Sequence, residues 1–131
     1  MKFFLLPFAL LLILAGCVNY AAPEKLYSES DAKDCGRIIV GHVNPSPQDK
    51  VEETKQCLID AFNSCEKAKA LQDGTTIEGD KIISFIEIQG RENGECKVFT
   101  SIASGDKFGQ SGNIEKTCQQ INESNPSASC K

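Results

Sequence analysis

Cysteine is the residue type with the clearest chemical meaning in this 131-residue chain, which contains seven cysteines. An even set of six in a short exported chain predicts three disulfide bonds. A zinc site needs close ligand pairs such as Cys-x2-Cys, whereas the closest pair here is Cys57 and Cys65. We therefore expect structural bridges, with no metal site and no cofactor. Cys17 follows an apolar segment, and the expected disulfide cysteines are Cys35, Cys57, Cys65, Cys96, Cys118 and Cys130.

Geometry limits how these six cysteines can pair. If Cys57 and Cys65 lie on one helix, their backbones are roughly 12 Å apart, because an α-helix rises about 1.5 Å per residue. That distance is too long for a disulfide. We favour a bond between Cys65 and Cys96, because the predicted end of this helix and the second predicted hairpin should meet. The other pairing schemes stay open.

His42 and Glu87 are the candidate catalytic residues. His42 is the single histidine, so any Ser-His-acid or Cys-His mechanism would have to use it. No nucleophile-elbow motif supports such a mechanism, and the surrounding Gly-His-Val-Asn-Pro segment is typical of a turn. Glu87 lies among apolar residues on a predicted central strand, where burial would suit it to proton transfer, or it points outward beside Lys97. A small envelope hydrolase that uses one of these two residues is an alternative function.

The first residues have the pattern of an export signal. Met1 and Lys2 form a short positive start, and the segment from Phe3 to Leu14 is apolar throughout. A transmembrane helix needs about 20 apolar residues, so this segment is too short to be a stable anchor. It is typical of the apolar region of a signal peptide.

The motif that follows, Leu14-Ala15-Gly16-Cys17, resembles the lipobox of bacterial lipoproteins. The resemblance implies that the thiol of Cys17 is diacylated and that the leader is cut before it. Two acyl chains give stable attachment to a membrane. The resemblance implies attachment at the extracytoplasmic face of a cell membrane or outer membrane. In well-studied two-membrane bacteria an aspartate at the position of Val18 marks retention at the inner membrane, so in such an organism the outer membrane is favoured. The alternative is ordinary secretion with a cut after Cys17.

These patterns divide the chain into three parts. Residues 1–16 form the leader, and residues 17–34 form a lipidated cysteine with a flexible spacer. The spacer is expected because Val18–Asp34 is polar, contains Pro23 and carries mixed charges. Residues 35–131 form a small disulfide-rich domain.

One main helix is expected in this domain, after a short edge strand at Arg37–Val40. Ser46 can cap the helix, and Pro47 suits its first position. The helix should run from Pro47 to about Cys65. Its apolar residues recur at helical spacing and should face the core: Val51, Leu58, Phe62 and Cys65.

Three strands should follow as an antiparallel meander, at Thr75–Glu78, Lys81–Gln89 and Glu95–Ala103. The second hairpin could close with a two-residue Asn93-Gly94 turn or with a three-residue loop. We favour the three-residue loop because it places six apolar residues on one face: Ile82, Ile86, Ile88, Cys96, Val98 and Ile102. The predicted fold class is therefore α+β, with one main helix on a three- to four-stranded antiparallel meander, a short C-terminal helix and disulfide staples.

The opposite sheet face would carry Ile83, Phe85 and Phe99, which is a large apolar group for a face exposed to water. We expect the chain to cover it through the glycine-rich segment Gly105–Gly112 and the short C-terminal helix. That helix is predicted from Ile114, Cys118 and Ile121. Alternatively, the three residues are a partner surface.

The net charge and the predicted location at a membrane indicate a class of function. The net charge of −4 disfavours nucleic acid as a partner. We expect a non-enzymatic lipoprotein that contacts the membrane through lipid on Cys17 and binds an envelope protein or cell-wall ligand. The alternatives are the hydrolase described above and a purely structural lipoprotein.

Overall fold

The protein folds around one five-stranded sheet that has a helix on each face. The computed structural model describes residues 22–41, 43–105 and 111–121. The strand order is β1-β2-β3-β4-β5; β1 and β2 run parallel, and the other neighbours run antiparallel. The elements are α1 (Pro23–Glu29), β1 (Lys33–Gly41), α2 (Gln48–Ser64), β2 (Ala68–Thr75), β3 (Lys81–Glu92), β4 (Glu95–Ser104) and β5 (Gly112–Cys118).

This architecture corrects the predicted fold class. The sheet is mixed and five-stranded, and the chain has a second helix near its start. The predicted short C-terminal helix is wrong, because Gly112–Cys118 is strand β5. Ile114 and Cys118 are four residues apart, and that spacing places two side chains on one side of a strand as well as of a helix. Pairing with β4 favours the strand, because β4 supplies hydrogen-bond partners for the backbone of Gly112–Cys118.

The β1–β2 pair is the second difference from an antiparallel meander. β2 begins at Ala68, directly after α2, and pairs in parallel with β1. The sequence-based prediction put the first strand after the helix at Thr75–Glu78, which is wrong, because that strand is Ala68–Thr75. Ala68-Lys69-Ala70-Leu71 contains few residues with high strand propensity, so it reads locally as a continuation of the helix. All four of these residues are buried, and tertiary burial overrides their local preference.

Helix α1 lies within the region predicted to be a flexible spacer. Pro23 occupies the start of the helix and Glu24 lies in its first turn, where both residue types favour a helix. A seven-residue helix is unstable in isolation, so its contacts with the sheet must hold it. Pro23 is fully buried.

Helix α2 matches the predicted helix to within one residue at each end. It ends at Ser64, and the residue that caps it, Cys65, has a left-handed backbone with φ of 52°. The predicted Ser46 cap is wrong, because Pro47 is the cap residue and no side chain caps this end. Ser46 instead pairs with the edge of β1. Its hydroxyl accepts a hydrogen bond from the Ile39 N–H at 2.8 Å, and its own N–H donates to the Ile39 carbonyl at 2.8 Å.

The β3–β4 hairpin confirms the predicted apolar face but corrects its loop. The turn has two residues, Asn93 and Gly94, with φ of 53° and 83°. A bulge between Ile88 and Gly90 then shifts the register by one residue, and Gly90 has φ of 104°. A two-residue turn combined with a one-residue bulge gives the same alternation of side chains between the two sheet faces as a three-residue loop. The six predicted residues therefore share the face that packs against α2, which we call the α2 face.

The main core lies between this face and α2. Leu58, Ala61 and Phe62 of the helix form one core cluster with buried residues of β2, β3, β4 and β5. Ile121, three residues after β5, is buried in the same cluster. The sheet residues in this core are Ala68, Ala70, Ile86, Ile88, Cys96, Val98 and Cys118.

Candidate functional site

Two disulfide bonds join α2 to the sheet, one at the middle of the helix and one at its C-terminal end. Cys35 in β1 bonds to Cys57, with 5.5 Å between the Cα atoms. Cys65 bonds to Cys96 in β4, with 5.6 Å between the Cα atoms, and this is the pair favoured from the sequence. Cys118 is also disulfide-bonded. Every cysteine in the described part of the chain is therefore bridged.

A polar cluster fastens α1 to the opposite sheet face, which we call the α1 face. It consists of Tyr27, Ser30, Asp34, Lys69 and Glu87. The ammonium of Lys69 donates to the carbonyls of Tyr27 at 2.8 Å and Ser30 at 2.7 Å, and it lies 4.9 Å from the centre of the Tyr27 ring. Lys69 is only 9% exposed. A cation at the C-terminal end of a helix stabilises the carbonyls that have no partner within the helix.

Glu87 belongs to this cluster and does not point outward beside Lys97. Its carboxylate accepts hydrogen bonds from the hydroxyl of Ser30 and from the amide of Gln89, the latter at 3.1 Å. Lys97 instead binds Glu92 at 3.0 Å and Glu115 at 2.8 Å. Glu87 lies directly across from Lys69 in the β2–β3 pair, so opposite charges face each other there.

Tyr27 and Asp34 complete the cluster at the β1 side. The Tyr27 hydroxyl donates to the Asp34 carboxylate at 2.6 Å, and the same carboxylate oxygen accepts from the Gly36 N–H at 2.8 Å. Burial, and then the hydrogen bond and negative charge of Asp34, raise the pKa of Tyr27 to about 12. The phenol therefore stays protonated as a donor across the ordinary pH range.

The hydrogen bonds of this cluster connect α1 to the sheet. The Ser30 hydroxyl donates to Glu87, but the Lys69 ammonium contacts the Ser30 carbonyl, not its hydroxyl. The donors and acceptors of these residues hold the end of α1 on the sheet.

The apolar residues beneath α1 form a small aromatic stack. The rings of Tyr27 and Phe85 are 6.4 Å apart, and those of Phe85 and Phe99 are 6.1 Å apart, both edge to face. Phe85 is 1% exposed, while Ile83 and Phe99 are partly exposed. The chain covers Phe85 itself, but with α1, not with the predicted C-terminal helix. These three residues therefore do not form one open partner surface.

A surface groove lies on the α2 face, between the end of α2 and the β3–β4 hairpin. Its volume is about 420 Å³. The Cys65–Cys96 disulfide and Cys118 form part of its wall. Its other lining residues combine one aromatic ring with polar and charged groups: Phe62, Asn63, Arg91, Gly94, Glu95 and Gln119.

Several predicted site residues lie outside the described part of the chain: His42, Cys17 and Cys130. Within residues 22–41, 43–105 and 111–121, no three His, Cys, Asp or Glu residues are grouped so that they could hold a metal ion. None of the helices in these ranges is long and apolar enough to cross a membrane.

Tyr27, Ser30 and Lys69 were not predicted from the sequence as members of a site. The local signal for α1 was present, because Pro23 and Glu24 at the start of Pro-Glu-Lys-Leu-Tyr-Ser-Glu are typical of a helix N-terminus. No local pattern indicated Lys69, since its partners are 39 and 42 residues away in the chain.

Comparison with known proteins found no match to this chain among protein-family models, curated proteins or solved structures.

Proposed function

We propose that this chain is an extracytoplasmic lipoprotein, tethered to a membrane through lipid on Cys17, and that its domain binds a protein or cell-envelope component without catalysing a reaction. The observation that carries the proposal is the bridging of all five described cysteines, Cys35, Cys57, Cys65, Cys96 and Cys118. Disulfides of this kind persist in oxidising compartments outside the cytoplasm. The lipobox-like motif supports membrane attachment at that address.

The groove beside the Cys65–Cys96 disulfide is the proposed binding site. Its volume of about 420 Å³ lies within the range of small-ligand and peptide pockets. Arg91 and Glu95 offer charges of both signs, and Phe62 offers an apolar wall. The disulfide joins the helix end to the hairpin, so the groove can stay rigid and bind without much loss of conformational entropy.

Membrane attachment is tested by fractionation and intact-mass analysis of the protein from its own cells. We expect wild type to sediment with membranes and to carry acyl chains on Cys17. Cys17→Ala should carry no acyl chains and should keep its leader, because the lipobox cut is made before the cysteine, whereas Asn19→Ala should behave as wild type. Wild type without acyl chains, or acyl chains still present on Cys17→Ala, would reject the tether.

The binding site is tested by photocrosslinking in intact membranes. A photoreactive residue at position 63, on the groove, should form a reproducible adduct with one envelope component. The same residue at position 53, exposed elsewhere on α2, is the matched control. We expect Arg91→Glu to weaken the adduct at position 63 without unfolding the domain. The groove is excluded if both positions give the same adducts or if position 63 gives none.

A further inference from the structure

We infer that Cys118 is bonded to Cys130, and that Cys17 is the one cysteine of this chain left outside the disulfide bonds. The starting point is the bonded state of Cys118. The other four described cysteines bond to one another, in the pairs Cys35–Cys57 and Cys65–Cys96. The chain has seven cysteines, so only Cys17 and Cys130 remain as partners for Cys118.

The position of Cys118 on the sheet argues against Cys17. Cys118 is 3% exposed and belongs to the core cluster on the α2 face, where it lies directly opposite Cys96 in the β4–β5 pair. Residue 22 precedes α1, and α1 packs on the other face, where Tyr27 contacts Phe85. Cys17 is five residues before Ala22, a link that spans at most about 18 Å when fully extended. Such a link offers little length for passing around the sheet edge to a buried thiol.

The position of Ile121 favours Cys130. Ile121 is 2% exposed in the same core cluster as Cys118, so the last residue that the structure describes lies on the same face as the Cys118 thiol. Cys130 follows nine residues later and can return without crossing the sheet. Loop-closure entropy points the same way, because a 12-residue loop closes about 25-fold more readily than the 101-residue loop that Cys17 would require.

Formation of this bond follows ordinary thiol–disulfide chemistry. The thiols of Cys118 and Cys130 lose two protons and two electrons, and a disulfide oxidant of the extracytoplasmic compartment is reduced to a dithiol. The product is a closed loop of residues 118–130 that begins at the wall of the groove, where Cys118 and Gln119 lie. Cys17 keeps its thiol and can take a thioether-linked lipid.

Peptide mapping of the full chain tests the inference directly. Free thiols are alkylated under denaturing conditions, and the unreduced protein is digested with trypsin. Cleavage after Lys116 leaves both cysteines in one peptide, residues 117–131, because the next basic residue is Lys131. We expect this peptide to appear alone, unalkylated and lighter than its reduced form by two hydrogen atoms. The inference is overturned if the peptide is joined to the one that contains Cys17, or if both its cysteines are alkylated.

Two variants separate this inference from the proposed lipid tether. Cys130→Ser should expose one new alkylatable thiol at Cys118, whereas the neighbouring control Ser129→Ala should expose none. Cys17→Ser should leave peptide 117–131 unchanged, and a newly alkylated Cys118 in that variant would overturn the inference. An intact Cys118–Cys130 bond in a protein without lipid on Cys17 would reject the tether alone, since the bond assignment does not depend on lipid.

Discussion

The pKa of Tyr27 is a measurable indicator of the attachment of α1 to the sheet. Its phenol lies beside Phe85 and donates to Asp34, so ionisation would place a second negative charge next to a carboxylate. Burial is the main cause of its raised pKa of about 12, and Asp34 adds to it. The folded state therefore holds the Tyr27 proton more tightly than the unfolded chain, whose tyrosine pKa is about 10.

The raised pKa of Tyr27 determines how the stability of the fold changes with pH. A group whose pKa is raised by folding stabilises the folded state fully below its unfolded pKa, and this contribution is lost as the pH rises through the folded pKa. We expect Tyr27 to destabilise the protein as the pH rises from about 10 to about 12. Ultraviolet titration of tyrosinate in a Tyr20→Phe background isolates Tyr27. Asp34→Asn should lower its pKa but leave it above the ordinary value, because burial remains. A Tyr27 that titrates normally in wild type would contradict the described contact.

At the scale of the elements, the β3–β4 hairpin depends on backbone conformations that few residues adopt. The bulge at Gly90 restores the alternation that a two-residue turn alone would disrupt. Gly90 has φ of 104°, a value that is strained for any residue with a Cβ atom. Without this bulge, the apolar side chains of β3 and β4 would not share the α2 face.

Gly90→Ala tests the bulge. An added Cβ would meet no atom within 4 Å, so any cost comes from the backbone alone. We expect the free energy of unfolding in urea to fall by about 1–3 kcal/mol. Gly112→Ala is the control, because Gly112 has equal space and no positive φ, and its stability should change little. Equal stability of the two variants would show that the bulge does not need a glycine.

Helix α1 shows how far an element can depend on its surroundings. Its seven residues give it little intrinsic stability, and Lys69 and Glu87 of the sheet hold its end. It covers apolar residues that a three-stranded meander would leave open. A segment that reads as a polar spacer is therefore part of the folded domain.

At the scale of the whole molecule, the disulfides compensate for a small core. Each one described joins α2 to the sheet and closes a loop of 22 or 31 residues. Chain-entropy arguments assign such loops about 3–4 kcal/mol each, against a total stability of about 5–15 kcal/mol for a typical domain. Covalent bonds can therefore account for much of the stability of this fold.

Reduction should accordingly unfold the domain or lower its melting temperature strongly. Replacing Cys35 and Cys57 together by alanine should cost about 2–5 kcal/mol in urea denaturation. Glu53→Ala, an exposed change on the same helix, is the control and should cost little. A wild-type melting temperature that does not change with reductant would reject the stabilising role of the bridges.

Local patterns were sufficient for the parts of the fold that local physics decides. Helix α2, the two hairpin strands β3 and β4, and their shared apolar face follow from hydrophobic periodicity and turn residues. The Cys65–Cys96 bond was also predictable, because the helix end and the hairpin pack on one face and bring the two cysteines together. The Gly90 bulge could not be predicted from these patterns, because a three-residue loop gives the same alternation of side chains.

Only the tertiary structure decided the rest, because the competing local states differ little in energy. Ala68–Thr75 became a strand because β1 and β3 flank it and α2 buries it, although its first residues suit a helix. Gly112–Cys118 became a strand because β4 offers its backbone partners, although its apolar spacing suits either state. Glu87, singled out from the sequence for catalysis, became part of the α1 attachment because Ser30 and Lys69 arrive from distant segments. The sequence by itself determined the main helix, the central hairpin and the apolar face between them; long-range pairing and burial determined the mixed sheet and the fastening of α1.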